Sequence, residues 1–348
     1  MMTEKERLRS ALKRRTVDRP PCICPGGMMN MITRELMEEA GNLWPRAHLE
    51  PDLMAGLAAA SYERHCFENY GLPFCMTTEA EALGAGVDLG TIDREPHVVQ
   101  YVIDSVTQWG ELPPLNFERG RLKVVLEAIG LLKERGGQVP VIGNLAGPVS
   151  VASSLMEPAA FYKELRRKRE AAKDFMNFIT EELLEFGLRQ MEAGADFIAI
   201  SDPSASGEIL GPVLFDEYAR PALTRIIDGL KKAFPETAVI VHICGKMHSV
   251  FKSLNQVPAE ALSFDAVVSL SKARENFPGR AIMGNVSTFA LELSTPEKVA
   301  ALTRHCLKRA DIISPACGMG TGSPLINVQS ILATVKNQET DRAAKPDD

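Results

Sequence analysis

Eight short apolar segments, most of them followed by a helix-like stretch, constrain this chain more than any other feature. They centre near residues 22, 73, 141, 197, 240, 263, 282 and 313. Segments such as VPVIGNL (139–145) and AVIVHI (238–243) are apolar at nearly every position rather than at alternate ones. A strand apolar on both sides belongs to a parallel sheet covered on both faces. The intervening pattern predicts helices over 121–135, 158–193, 215–234 and 296–309, the last opened by Thr295 as N-cap and Pro296 in the first turn. No Gly-x-Gly-x-x-Gly follows the first strand, so the usual mark of a nucleotide-binding doubly wound sheet is missing. The expected fold is therefore α/β, a (β/α)8 TIM barrel. Residues 1–340 are read as one catalytic domain, with 1–20 as a helical extension, 83–120 as an insertion containing a hairpin, and 341–348 as a flexible tail.

Composition narrows the function classes. The 348 residues carry 39 Lys plus Arg against 45 Asp plus Glu, a net charge of −6. That balance argues against a nucleic-acid binder, which needs a concentrated basic face. No run of about 18 apolar residues occurs, and the amino end has no signal-like apolar core, so a soluble cytoplasmic protein is expected. Seven cysteines in a chain of this length do not make a disulfide framework.

The informative question is then whether a thiol meets a histidine at metal-ligand spacing. In AVIVHICGKMHSV, His242 and Cys244 lie two residues apart at a strand end, so both side chains leave the same face. The last strand ends Ser314-Pro315-Ala316-Cys317-Gly318. In a closed barrel the carboxyl ends of all strands share one mouth. His242, Cys244 and Cys317 would there form a borderline-soft set suited to Zn2+, with a fourth position left for substrate. On spacing alone, two buried filler cysteines and an ordinary histidine remain the alternative. Other polar groups following strands are Asp202, Glu81 and Asn144, read as candidates for catalysis or substrate contact. Asp202 and Glu81 could equally serve as a turn cap and a first-turn helix acid.

The pattern His242-x-Cys244-Gly245 with Cys317-Gly318 resembles the zinc motif of the corrinoid-dependent methyltransferases of the uroporphyrinogen decarboxylase superfamily. The likeness extends over Leu72-Pro73-Phe74, Glu79-Ala80-Glu81-Ala82-Leu83-Gly84, Gly147-Pro148 and Ser201-Asp202-Pro203-Ser204-Ala205. It implies a zinc-bound pocket in which His242, Cys244 and Cys317 are protein ligands and Asp265 is the carboxylate available for the fourth position. It further implies methyl transfer between a corrinoid (methylcobalamin) and a small substrate, a thiol such as coenzyme M. Gly318 and Gly320 are the residues expected to let the chain pass close to the corrinoid. The same superfamily contains enzymes that run the other way, demethylating methoxylated aromatics or methylamines onto a Co(I) corrinoid protein. True decarboxylases resemble one another in an arginine-rich stretch after the first strand. Here that stretch is Cys24-Pro25-Gly26-Gly27-Met28-Met29-Asn30-Met31, with no arginine until Arg34.

Two thiolates and a neutral imidazole would leave zinc at a formal charge of zero, so an incoming thiolate keeps its nucleophilicity. No Asp-x-His-x-x-Gly corrinoid motif occurs. The corrinoid is accordingly expected to arrive on a partner, a corrinoid-binding protein.

Overall fold

A computed structural model describes residues 2–343, with side chains described for 2–337. Of the expected tail, 344–348 lie outside the described residues, and 341–343 end the last helix, Leu325–Ala343.

The apolar segments build a six-stranded parallel sheet in the order β1 (Tyr70–Leu72), β4 (Val141–Ala146), β5 (Phe197–Ser201), β6 (Val239–Ile243), β7 (Ala261–Phe264) and β8 (Ala281–Met283). Every residue of these strands is buried, which is why their sequences do not alternate. Helices between consecutive strands supply the right spacing for parallel crossovers; the longest, Arg169–Ala193, packs on β4, β5 and Arg220–Ala233. A separate antiparallel hairpin, β2 (Gly86–Asp88) with β3 (His97–Gln100), forms inside the expected insertion. The expected amino-terminal helix is Glu4–Leu12, opened by the Thr3–Glu6 capping box.

The segments expected as strands at 22 and 313 are extended but held by isolated bridges, Cys22 to Ile313, Met283 to Ile312 and Val286 to Pro315, all parallel. Proline explains the difference. Pro20, Pro21 and Pro25 flank the first segment and Pro315 ends the second, and each removes a ladder donor. Side chains fill the gap: Asn69 donates to the Cys24 carbonyl (2.8 Å) and accepts from the Cys24 amide (3.0 Å). Likewise the segment centred near 73 forms only the short β1, which stops at Leu72 before Pro73.

Two expected helices are interrupted. The 158–193 stretch is Pro158–Arg167 and Arg169–Ala193, meeting at Lys168. There Glu164 accepts from the Val106 amide (2.9 Å) and the Ser105 hydroxyl (3.0 Å) of the insertion, so a tertiary contact overrides helical continuity. The 215–234 stretch starts at Gly211 and contains one wider turn, Phe215–Ala219, just before Pro221, whose missing amide cannot close a normal turn.

Asn144 on β4 joins three neighbours. Its Nδ2 donates to the carbonyls of Pro25 (2.7 Å) and Leu72 (3.0 Å), and its own carbonyl accepts from Gln190 Nε2 (2.9 Å). Gly71 permits this approach: a Cβ there would lie 2.1 Å from the Pro25 oxygen. Asn144→Ala leaves two buried carbonyls unpaired and is expected to lower the unfolding free energy by about 2–4 kcal/mol, read as a lower urea midpoint at unchanged slope.

A candidate metal–thiolate site

His242, Cys244 and Cys317 converge at the carboxyl end of the sheet, and their ligand atoms all lie within 4.8 Å of one another. The parallel register sets the histidine, pairing it with Ser201 on one side and Ser263 on the other. His242 is 1% exposed. Its Nδ1 meets Ser263 Oγ at 2.9 Å, and its Nε2 faces Cys244 Sγ at 2.9 Å. Cys244 Sγ lies 2.9 Å from Cys317 Sγ and 4.0 Å from Met28 Sδ. Both thiols are half-buried. Their hydrogen bond holds the Cys317 thiol below its ordinary value and pushes Cys244 above it.

This donor set fits a soft divalent ion. With the proton on Nδ1 donated to Ser263, the Nε2 lone pair points at the thiols, the arrangement that fixes a ligating tautomer. Ser263 was not among the residues singled out from the sequence, although the strand register alone would have placed it opposite His242.

The remaining sequence candidates occupy distinct places. Asp265 is half-buried beside the trio, with Oδ2 accepting from the Gly245 amide (3.3 Å) and Oδ1 from the Val267 amide (3.0 Å). It is not one of the converging group, although its charge reaches Cys244. Asp202 is fully buried and accepts from the Val149 amide (3.2 Å) and from the amide and hydroxyl of Ser150 (2.8 and 2.7 Å), at the start of the helix Pro148–Leu155. Burial outweighs those bonds and pushes its carboxyl up to about 6. Glu81 pairs with the buried Arg121, whose other nitrogens donate to Thr77 Oγ1 (2.9 Å) and Cys75 Sγ (3.2 Å). Gly318 packs against the segment before Met31, where a Cβ would stand 2.4 Å from the Met28 carbonyl oxygen; Gly320 approaches Glu292 instead.

Glu79 is 1% exposed, with Oε1 accepting from the Ala146 amide (2.8 Å) and Oε2 without a partner. Burial raises its carboxyl to about 7. An acid raised above its unfolded value favours the fold below that unfolded value, and the contribution fades as pH climbs to the folded one. Wild type should therefore lose stability between about pH 4.5 and 7, by roughly 1.4 kcal/mol per unit of separation, while Glu79→Gln flattens that window in urea titrations.

These features define a class, an α/β enzyme with a histidine–dithiolate centre at the carboxyl end of a parallel sheet. The uroporphyrinogen decarboxylase family model matches residues 3–338, and the chain belongs to that family. Within it, the chain is 32% identical to the methylcobamide:CoM methyltransferase MtbA of Methanosarcina acetivorans, over 96% of this chain and 98% of that one. It is also 32% identical to the methylcobamide:CoM methyltransferase MtaA of Methanosarcina barkeri, over 95% and 97%. A solved methyltransferase from Methanosarcina mazei superposes with a TM-score of 0.89 at 32% identity, covering 97% of this chain and 99% of that one.

Ser263→Ala should weaken metal binding about 10–100-fold by freeing the imidazole to rotate. Competition with a chromophoric chelator measures it, and the far-ultraviolet spectrum should not change.

Proposed function

We propose that this protein is a zinc-dependent methyltransferase that moves a methyl group between a partner corrinoid protein and a small thiol, acting in the cytoplasm. The observation that carries the reading is the convergence of His242, Cys244 and Cys317 within 4.8 Å, with the imidazole already oriented by Ser263. The likeness to methylcobamide:CoM methyltransferases over nearly the full length of both chains supports the chemistry. Seven unpaired cysteines and the lack, among the described residues, of a helix long and apolar enough to cross a membrane agree with the compartment.

In this reading the six-stranded sheet and the bridged segments at 22 and 313 together close a (β/α)8 barrel, one catalytic domain over 1–340. His242, Cys244 and Cys317 hold the ion, and Asp265 borders the open side. When bound, zinc supplies the Lewis acidity that keeps a substrate thiol deprotonated beside the methyl carbon. The chain's own residues do the rest. Ser263 fixes the ligand imidazole, and Met28 forms an apolar wall against Cys244 that keeps water from the reacting sulfur. Asp202 holds the start of the helix 148–155 against the end of β5, and Asn144 holds the first extended segment at the mouth. Glu81 acts through Arg121 on Cys75 rather than on substrate. Gly318 and Gly320 keep the loop after Cys317 low, leaving room for the corrinoid protein to dock.

The test is the loss of methyl-Co(III) absorbance from a methylated corrinoid protein on adding zinc-loaded enzyme and a thiol, with coenzyme M as the reference compound. Turnover with a thiol but not with buffer is expected, and Cys317→Ala should reduce it to the buffer level. Methylation of Co(I) corrinoid by a methoxyarene or methylamine, with no thiol active, would reverse the direction. Decarboxylation of uroporphyrinogen would overturn the reading.

A further inference from the structure

A fourth sulfur stands beside the converging histidine and two cysteines. Met28 Sδ lies 4.0 Å from Cys244 Sγ. Two sulfurs that each sit about 2.3 Å from one tetrahedral ion are about 3.8 Å apart. The observed separation is close to that of two ligands sharing an ion. The Met28 side chain is half-buried and neutral, and thioethers belong with thiolates among the soft donors that zinc accepts. The neighbouring carboxylate is already engaged, since both oxygens of Asp265 take backbone amides, of Gly245 (3.3 Å) and Val267 (3.0 Å).

The backbone that carries this sulfur is fixed from two sides. Gly26 and Gly27, at φ +95° and +61°, turn the chain sharply before Met28, and the Gly27 amide donates to the Pro73 carbonyl at 2.7 Å. Gly26 and Met29 bridge each other across the turn. From the other side comes the loop that follows Cys317. Its Gly318 lies against the Met28 carbonyl. The Met319 amide donates to the Asn30 carbonyl (3.0 Å), and Asn30 Nδ2 donates to the Met319 carbonyl (3.2 Å). Met28 and Cys317 therefore ride on two loops bonded to each other. Met29 turns elsewhere. Its Sδ meets Ser263 Oγ at 3.8 Å, on the Nδ1 side of His242, whereas Cys244 is on the Nε2 side.

We propose that Met28 is the resting fourth ligand of the ion, a thioether that closes the site when no substrate is present and gives way to a substrate thiolate. The inference rests on the metal-centre reading of the site and deepens it. In the exchange the substrate thiol loses its proton to solvent, its sulfur bonds to the ion, and the bond to Met28 breaks. The thiolate displaces the thioether because it brings a full negative charge to a cation. Methylation of that thiol yields a methyl thioether, the group in which the Met28 side chain itself ends. Met28 thus competes with the product as a chemical equal, tethered beside the ion, and clears the site for the next thiolate.

The experiment is X-ray absorption at the zinc edge on zinc-loaded protein grown with selenomethionine, where selenium marks any methionine bound to the ion. One selenium is expected in the first shell, beside the histidine nitrogen and the two cysteine sulfurs. Met28→Leu, which conserves volume, should remove it, and Met29→Leu should leave it in place. Saturating coenzyme M should replace the selenium with a third sulfur. A first shell with oxygen where selenium is expected, or a selenium that Met28→Leu does not remove, overturns the inference while methyl transfer to thiols still stands. So does a selenium that stays after the third sulfur has entered. Selenium that binds and leaves as expected, in a protein that transfers no methyl group to any thiol, would instead overturn the functional reading and leave the ligand role of Met28 intact.

Discussion

The site depends on one constraint, the parallel register that sets β6 between β5 and β7. Opposing residues in neighbouring parallel strands face the same way. Pairing His242 with Ser201 and Ser263 therefore aims the imidazole and the serine hydroxyl together. A one-residue slip would turn His242 to the opposite face and bring an apolar neighbour in its place, destroying ligand and orienter at once. The complete burial of β5, β6 and β7 is what makes such a slip costly. Core and chemistry are thus one requirement: apolar residues lock the strands, and the lock positions the few polar ones.

Much of this was legible in the chain. His242 and Cys244, two apart at the end of an apolar run, could leave only one face, and Cys317 followed the last apolar segment. The parallel sheet, the amino-terminal helix and the hairpin were also readable, because each is written locally as an apolar run, a capping box or a loosened pattern rich in β-branched residues. What stayed hidden was tertiary. Lys168 splits a helix because the insertion docks on Glu164, and nothing near Lys168 in sequence announces that contact. The segments at 22 and 313 read as strands because their apolar character is strand-like, while the flanking prolines reduce the pairing to bridges. Asp202 and Glu81 were visible as carboxylates after strands. Only the folded chain shows one holding a helix start and the other an arginine.

The thiolate pair also bears on how the site is built. Where a small domain relies on its metal to fold, the ligands have no organisation without it. Here the imidazole, Cys244 and Cys317 are already linked by hydrogen bonds of 2.9 Å, and the imidazole is held by a serine on a buried strand. His242 belongs to a fully buried strand, while Cys244 and Cys317 lie half-buried just beyond strand ends. The donor set is held in place by strand register and by a serine hydroxyl of the buried sheet, so its arrangement is a property of the fold.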